Sequence, residues 1–162
     1  MAQRVGIVDT MFARVDMYPF VVQAFKGVGW KPEVVRRTVP GVKDVPVEAL
    51  NMLQGGCDIV ITLAMGGGAQ VDYTCVHEAC AALQQVMLMT GKHVIDVVVH
   101  SNEAKDDARL LSICRNRAYK HAVNAYWLLN RPEELTKRAG TGERQGFENE
   151  GPAKAKAKKG KK

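Results

Sequence analysis

The sequence has no apolar stretch long enough to span a bilayer, which takes roughly 18 to 20 consecutive apolar residues. Its first residues also lack a signal-peptide core with a cleavage site, so we expect a cytoplasmic protein. The four cysteines form no CxxC pair, which argues against a disulfide framework or a zinc ribbon. In the cluster Cys75-x-His77-xx-Cys80, helical residues 75 and 80 would lie about 140° apart, so no metal site is predicted.

The net charge of +6 does not belong to the body of the chain. Residues 151–162 (GPAKAKAKKGKK) hold six lysines and no acid, so the rest is close to neutral. We predict one domain over residues 1–150 and a disordered lysine-rich tail over residues 151–162. The tail has no aromatic ring to stack on a base, so a nucleic-acid partner is disfavoured, although a weak contact with RNA or an anionic surface stays open.

Four β-branched runs alternate with helix-like segments, which predicts an α/β fold: a three-layer α/β/α sandwich with a four-stranded parallel sheet. The strands are nearly continuously apolar, as burial on both faces requires. They are predicted at Arg4–Val8, Glu33–Val39, Cys57–Ala64 and Lys92–His100.

Capping signals and glycines predict where the helices begin and end. The first begins near Asp16 and ends at Gly27–Gly29, the second runs from near Pro46 to Gly55–Gly56, and the third ends at Gly91. The fourth begins at Asp106–Asp107. Its predicted outward residues are Arg109, Arg115, Arg117 and Lys120.

Right-handed crossovers place four loops at the carboxyl edge of the sheet, where open α/β sheets bind ligands. Within them, Phe12 is either a core ring or a stacking platform for a flat heterocycle. Asp44 either caps a helix or accepts hydrogen bonds from a polyol. The run Gly66-Gly67-Gly68-Ala69-Gln70 is neither GxGxxG nor a Walker sequence, and its amides suit the imide edge of a pyrimidinedione equally well.

Three residues near this edge are predicted acid/base groups. His77 suits proton transfer near neutral pH, although a lone helical histidine is more often structural. Asp96 lies among apolar neighbours, where a carboxylate must be used or be paired, for instance with a cation of an adjacent subunit. His100 ends the fourth strand.

Several motifs follow one another in order along the chain: VGIVDT and FARVDM (5–10, 12–17), TVPG with KD-P (38–46), GCDIV (56–60), HEA (77–79), EAKDD (103–107), and RQGFE followed by EGPA (144–148, 150–153). Through these motifs the chain resembles archaeal riboflavin synthases, relatives of lumazine synthase, over about residues 4–153.

The resemblance implies a lumazine-synthase-like fold of flavodoxin-like topology and a homopentamer with active sites between subunits. It implies the dismutation of two 6,7-dimethyl-8-ribityllumazine molecules to riboflavin and 5-amino-6-(D-ribitylamino)uracil, in riboflavin biosynthesis. This chemistry needs no cofactor, while a divalent cation such as Mg²⁺ stays open.

By position, the resemblance implies that Phe12 stacks on the lumazine, that Gly41 to Asp44 bind the ribityl chain, and that Leu63 to Met65 line the pyrimidine edge. The predicted catalytic residues are His77, Asp96 and His100. The predicted substrate-binding residues are Asp9, Thr10, Phe12, Pro40, Gly41, Lys43, Asp44, Leu63, Ala64, Met65 and Gly66.

Departures from lumazine synthase favour the riboflavin synthase activity. Gly67 to Val71 read GGAQV where lumazine synthases have Gly-Ala-Thr-x-His, a loop that holds a phosphate-bearing substrate. Asp96 stands in the usual place of an interface phenylalanine. Arg109 and Arg117 fall at positions of basic phosphate ligands, which keeps 6,7-dimethyl-8-ribityllumazine synthase as an alternative. A non-catalytic flavin- or nucleic-acid-binding module is a third.

Overall fold

Four parallel strands form the centre of the computed structural model, which describes residues 2–153. They are β1 (Arg4–Thr10), β2 (Glu33–Val39), β3 (Ile59–Gly66) and β4 (Val94–His100). Every neighbouring pair is parallel, and the order is β2-β1-β3-β4. This is the order of flavodoxin-like sheets.

Helices cover both faces of the sheet. They are α1 (Tyr18–Gly27), α2 (Val45–Gln54), α3 (Gln70–Thr90), α4 (Asp107–Asn130) and α5 (Pro132–Lys137). Because side chains alternate along a strand, Ile61 and Leu63 of β3 pack in the core beneath α1 and α4, while Val60 packs in the core beneath α2 and α3. The predicted three-layer α/β/α sandwich is confirmed.

Element boundaries differ from the prediction by a few residues. β1 continues to Thr10, because Asp9 and Thr10 pair in register with Thr38 and Val39 of β2. β3 and β4 each begin two residues later than predicted, at Ile59 and Val94. The short helix α5 was not predicted, and it begins at Pro132, a residue suited to the first helical position.

The predicted start of α4 at Asp106–Asp107 is confirmed. The carboxylate of Asp106 accepts a hydrogen bond from the Arg109 amide at 2.7 Å, as an N-cap should. At α1 the N-cap position is Met17, and the Asp16 carboxylate accepts from the Tyr18 amide at 3.1 Å. Gly91 ends α3 in the left-handed conformation.

Arg117 was predicted to face outward, and this was wrong. Arg117 is only 8% exposed, because its guanidinium is paired with Glu103 and packs against Gly146 and Phe147. The other residues predicted to face outward on α4 are exposed or half-buried.

The C-terminal segment, defined here as residues 144–150, folds back against α4. The Lys120 ammonium donates to the Arg144 carbonyl at 2.8 Å, and the Gly146 amide donates to the Asn116 side chain at 2.7 Å. The predicted disordered tail at 151–162 lies, from residue 154 onward, outside the described residues. Within residues 2–153, no helix is long and apolar enough to cross a membrane.

Candidate active site

A cleft of about 280 Å³ opens at the carboxyl ends of β1, β2 and β3, beside the first turns of α3. It brings together most of the predicted substrate-binding residues from three separate loops. Its lining residues are Phe12, Pro40, Gly41, Val42, Lys43, Asp44, Met65, Gly66, Gly67, Asp72, Cys75 and Val76.

Phe12 lies at the mouth of the cleft, just after β1. The amide of the preceding Met11 donates to the Val39 carbonyl at 2.8 Å, which fixes the start of the loop. The Phe12 residue is 59% exposed, so the ring does not belong to the core. An exposed aromatic ring on a fixed loop can stack on a flat heterocycle.

The segment from Pro40 to Asp44 forms one wall. Gly41 is extended and leads into a single 3₁₀ turn at Val42–Asp44. Asp44 occupies the N-cap position of α2, but within residues 2–153 its side chain makes no capping hydrogen bond. Its carboxylate therefore remains available to a polyol, and the helix-cap interpretation is not supported.

Lys43 carries the positive charge of this wall. Its ammonium lies 3.1 Å from a carboxylate oxygen of Glu78 on α3, and both side chains are largely exposed. The hydrogen bond to Glu78 raises the pKa of Lys43 above its ordinary value. Lys43 is therefore a cation near neutral pH, already placed at the rim of the cleft.

The glycine loop after β3 forms the floor. A Cβ on Gly67 would lie 2.7 Å from Asp72 Cγ, and a Cβ on Gly68 would lie 2.9 Å from Asn102 Cγ, so the close approach of these side chains requires glycine. Asp72 accepts a hydrogen bond from the Ala69 amide at 2.9 Å. A carboxylate thus occupies the start of α3, the position where an anion would otherwise bind.

The other predicted residues of β1 and β3 lie beneath or away from the cleft. Leu63 and Ala64 are fully buried, so only their backbone lies near the floor. Asp9 points to the α1 face, where it is ion-paired with Arg36 and accepts from Thr38 Oγ1 at 2.5 Å. Thr10 is 5% exposed, and its hydroxyl has no hydrogen-bond partner in the described part of the chain. The substrate-binding roles of Asp9 and Thr10 stay predictions.

Asp96 is held beneath α3 rather than in the cleft. The Thr62 hydroxyl donates to one of its oxygens at 2.6 Å, and the Cys80 thiol lies 2.8 Å from the other. Burial, followed by this hydrogen bond, raises the pKa of Cys80 to about 12, so the thiol keeps its proton. Because β4 is an edge strand, Asp96 still lies near a margin of the sheet that a neighbouring chain can approach.

The two predicted histidines differ sharply. His77 is exposed on α3, and neither histidine is among the residues that line the cleft. The His100 ring lies against the floor, with Nδ1 2.9 Å from the Gly67 carbonyl oxygen and with the Tyr73 ring stacked on it at 4.1 Å. A carbonyl only accepts, so Nδ1 carries the proton in the neutral ring and Nε2 is the basic nitrogen.

The sequence interpretation missed Asp72, Cys75 and Val76 as cleft residues. The signal was available, because α3 begins directly after the glycine loop and residues three and four apart share one face. The interpretation also missed Glu103 as the partner of Arg117. Within residues 2–153, no group of three or more His, Cys, Asp or Glu residues is arranged to hold a metal ion.

Comparisons with known proteins give a consistent result. Residues 2–133 match the family model described as 6,7-dimethyl-8-ribityllumazine synthase. A riboflavin synthase of Archaeoglobus fulgidus is 43% identical over 92% of this chain and 97% of its own length. One of Methanothermobacter marburgensis is 42% identical over 92% and 98%, and one of Aeropyrum pernix is 43% identical over 95% and 100%.

Proposed function

The chain belongs to the 6,7-dimethyl-8-ribityllumazine synthase family, and within it we propose that the protein is a riboflavin synthase, an enzyme of riboflavin biosynthesis. As a transferase, it moves a four-carbon unit from one 6,7-dimethyl-8-ribityllumazine to a second. The products are one riboflavin and one 5-amino-6-(D-ribitylamino)uracil, which together contain all the atoms of the two substrates. The names of relatives that align over nearly their whole length support this choice.

One observation favours riboflavin synthase over the alternative: two positions that could bind a phosphate are already occupied by carboxylates. The guanidinium of Arg117 is paired in two places with Glu103, and the amide of Ala69 is bonded to Asp72. The alternative, 6,7-dimethyl-8-ribityllumazine synthase, must bind a four-carbon phosphate, whereas the lumazine carries no phosphate. Both positions already hold a carboxylate, which favours the uncharged substrate.

The cleft residues suit this reaction. A methyl proton must leave one lumazine, a nucleophile must add to the other, and two flat rings must be held face to face. Phe12 stacks on one ring, Gly41 to Asp44 bind the ribityl chain, and the backbone at Met65 and Gly66 meets the pyrimidine edge. His100 is the base nearest the floor, through its unprotonated Nε2. His77 and Asp96 act from the margin of the site. The proposed reaction uses no cofactor and does not depend on Mg²⁺.

The active protein is a homopentamer with sites shared between neighbouring subunits. One chain leaves large apolar side chains on the outer surface of α2 and α3, with Val47 64%, Leu88 86% and Met89 70% exposed. Apolar surface of this kind is typical of a protein interface. The molecular mass in solution tests the pentamer, and a monomeric mass at the assay concentration would contradict it.

The decisive experiment supplies purified protein with 6,7-dimethyl-8-ribityllumazine alone. We expect riboflavin and the diaminopyrimidinedione in equal amounts, with two lumazines consumed for each riboflavin. The assay is run with Mg²⁺ and with a chelator, and equal rates are expected. If no riboflavin forms, and the protein instead makes lumazine from the pyrimidinedione and the four-carbon phosphate, the alternative is correct.

The acid/base assignments are tested by Asp96→Asn and His77→Ala. Each is expected to slow turnover strongly while the assembly keeps its mass. The matched control is His93→Ala, since His93 is also exposed but precedes β4, at the opposite edge of the sheet. Normal turnover in both test variants would show that neither residue takes part.

A further inference from the structure

A buried ion pair links α4 to the loop after β4. The Arg117 guanidinium donates to both oxygens of Glu103, at 2.9 Å and 2.6 Å, and to the Val98 carbonyl at 2.5 Å. The side chains of Arg117 and Glu103 are only 10% and 20% exposed. Burial alone would raise the pKa of Glu103, but the hydrogen bonds from Arg117 and the His100 amide lower it below its ordinary value. Both Arg117 and Glu103 are therefore charged near neutral pH.

This pair leads directly to the floor of the cleft. The same Glu103 oxygen that accepts from Arg117 also accepts from the His100 amide, at 2.8 Å. Nδ1 of the His100 ring in turn donates a hydrogen bond to the Gly67 carbonyl oxygen. A Cβ on Gly66 would lie 2.7 Å from the His100 ring, so ring and loop are in direct contact. A shift of Glu103 must move His100, and a shift of His100 must move the floor.

The C-terminal segment covers the other side of the pair. The Phe147 ring lies 5.3 Å from the Arg117 guanidinium, within the range of a cation–π contact. Gly146 is buried against Arg117: a Cβ there would lie 2.7 Å from Nη2 and 2.9 Å from Cζ. The segment thus excludes water from one face of the guanidinium, and a drier surrounding strengthens the attraction between the two charges.

We propose that Arg117 and Glu103 are positioning residues for the cleft, and that the C-terminal segment holds them in place through Gly146 and Phe147. This rests on the proposed function for its link to turnover. The pair sets the position of the His100 backbone, and the Gly67 carbonyl then fixes which ring nitrogen is basic. The C-terminal segment packs on α4 outside the cleft, and it therefore supports the site without lining it.

A pair of glycine substitutions provides a matched test. Gly146 and Gly140 both have positive φ, +82° and +79°, so alanine carries the same backbone strain at either position. At Gly146 the added Cβ displaces the Arg117 guanidinium, whereas at Gly140 it meets no described atom within 4 Å. Gly146→Ala therefore moves the pair, and Gly140→Ala controls for the strain.

Three quantities are measured on the assembled full-length variants: kcat, KM for the lumazine, and the ¹⁵N chemical shifts of the His100 ring. For Gly146→Ala we expect kcat to fall about tenfold to a hundredfold, because misplaced groups react slowly. KM should change by less than about threefold, because Phe12 and the Gly41 to Asp44 wall are untouched and only the contact of the floor with the pyrimidine edge shifts. The nitrogen shifts should move from the Nδ1–H form toward a mixture. Gly140→Ala should match the unaltered protein.

Glu103→Gln provides a second, milder variant that preserves shape and removes the charge. It should change the His100 shifts and lower kcat in the same direction as Gly146→Ala. Unchanged shifts and an unchanged kcat in both variants would overturn the proposal. So would a uniform loss of kcat and affinity that Gly140→Ala reproduces. The shifts are read without turnover, so absence of riboflavin formation by the unaltered protein overturns only the proposed function.

Discussion

The two sides of the cleft are built in opposite ways. The open side, Phe12 with Gly41 to Asp44, is largely exposed and is tied to the rest of the protein by the surface pair Lys43–Glu78. The enclosed side, Gly66 and Gly67 with His100, Glu103 and Arg117, is buried or half-buried and is connected by successive hydrogen bonds. The open side is suited to contacting a substrate, whereas the enclosed side is suited to holding reacting groups at fixed positions.

The largest expected effect is on stability, from Arg117→Met on the enclosed side. This change leaves Glu103 buried without its partner, and removing one member of a buried pair costs about 3 kcal/mol of unfolding free energy. Lys43→Met on the open side should leave stability unchanged. Urea unfolding of both variants measures the difference. Adding Glu103→Leu to Arg117→Met should recover most of the loss, and equal stability of the two single variants would contradict the distinction.

His121, one helical turn after Arg117 on α4, should make the protein sensitive to acid. Burial, with help from the charge of Arg117, lowers the pKa of the half-buried His121 to about 4 from 6.5. The unfolded chain therefore binds a proton that the folded chain does not between these two pH values. The contribution of His121 to stability is therefore fully present above pH 6.5 and is lost as the pH drops toward 4.

We expect the loss from His121 to be about 2 kcal/mol, less than the full shift implies because part of the ring meets solvent. Urea unfolding at several pH values measures it. His121→Gln should flatten this part of the profile, while His93→Ala, at an exposed position, should not. A profile that is equally steep in His121→Gln would show that groups other than His121 cause the acid sensitivity.

The open side was largely predictable from sequence, because it depends on local rules. Strand ends follow from apolar runs, and the carboxyl-edge rule then selects the loops that hold Phe12 and Pro40 to Asp44. Asp9 is the exception. Its side chain faces α1 because it lies two residues after Ile7 and shares the same face of β1, and its partner Arg36 lies on the neighbouring strand. That contact depends on strand order and register, which local patterns do not specify.

The enclosed side depends on contacts between distant parts of the chain. Arg117 lies three residues after the buried Cys114 and four before His121, so helical spacing alone would have turned it inward. The positive charge of Arg117 predicted exposure to solvent, and the sequence interpretation gave this charge more weight than the helical spacing. A buried arginine needs a specific partner, and Glu103 is separated from it by the start of α4. Gly146, which covers the pair, is far away in sequence and close only in the folded chain.

Phe12→Ala removes the stacking surface of the open side. We expect lumazine affinity to fall about tenfold, in the range typical of losing one ring stacked on a heterocycle. Stability should not change, because the ring is exposed. Fluorescence titration with lumazine measures affinity, and Phe12→Tyr, which keeps a ring, is the control. Unchanged affinity in Phe12→Ala would show that the ring does not contact the substrate.

The smallest expected effect concerns Lys43, the cation at the rim. Lys43→Met keeps the length of the side chain and removes its ammonium. We expect the loss of one hydrogen bond to a ribityl hydroxyl and a roughly threefold to fivefold fall in affinity. Glu78→Gln removes the charge that holds Lys43 in place but leaves the ammonium, so its effect should be smaller still. Because both changes are on the open side, kcat should stay constant while KM rises. A loss of kcat with constant KM in Lys43→Met would place Lys43 among the groups that act on the reacting atoms, and the two sides of the cleft would no longer divide binding from positioning.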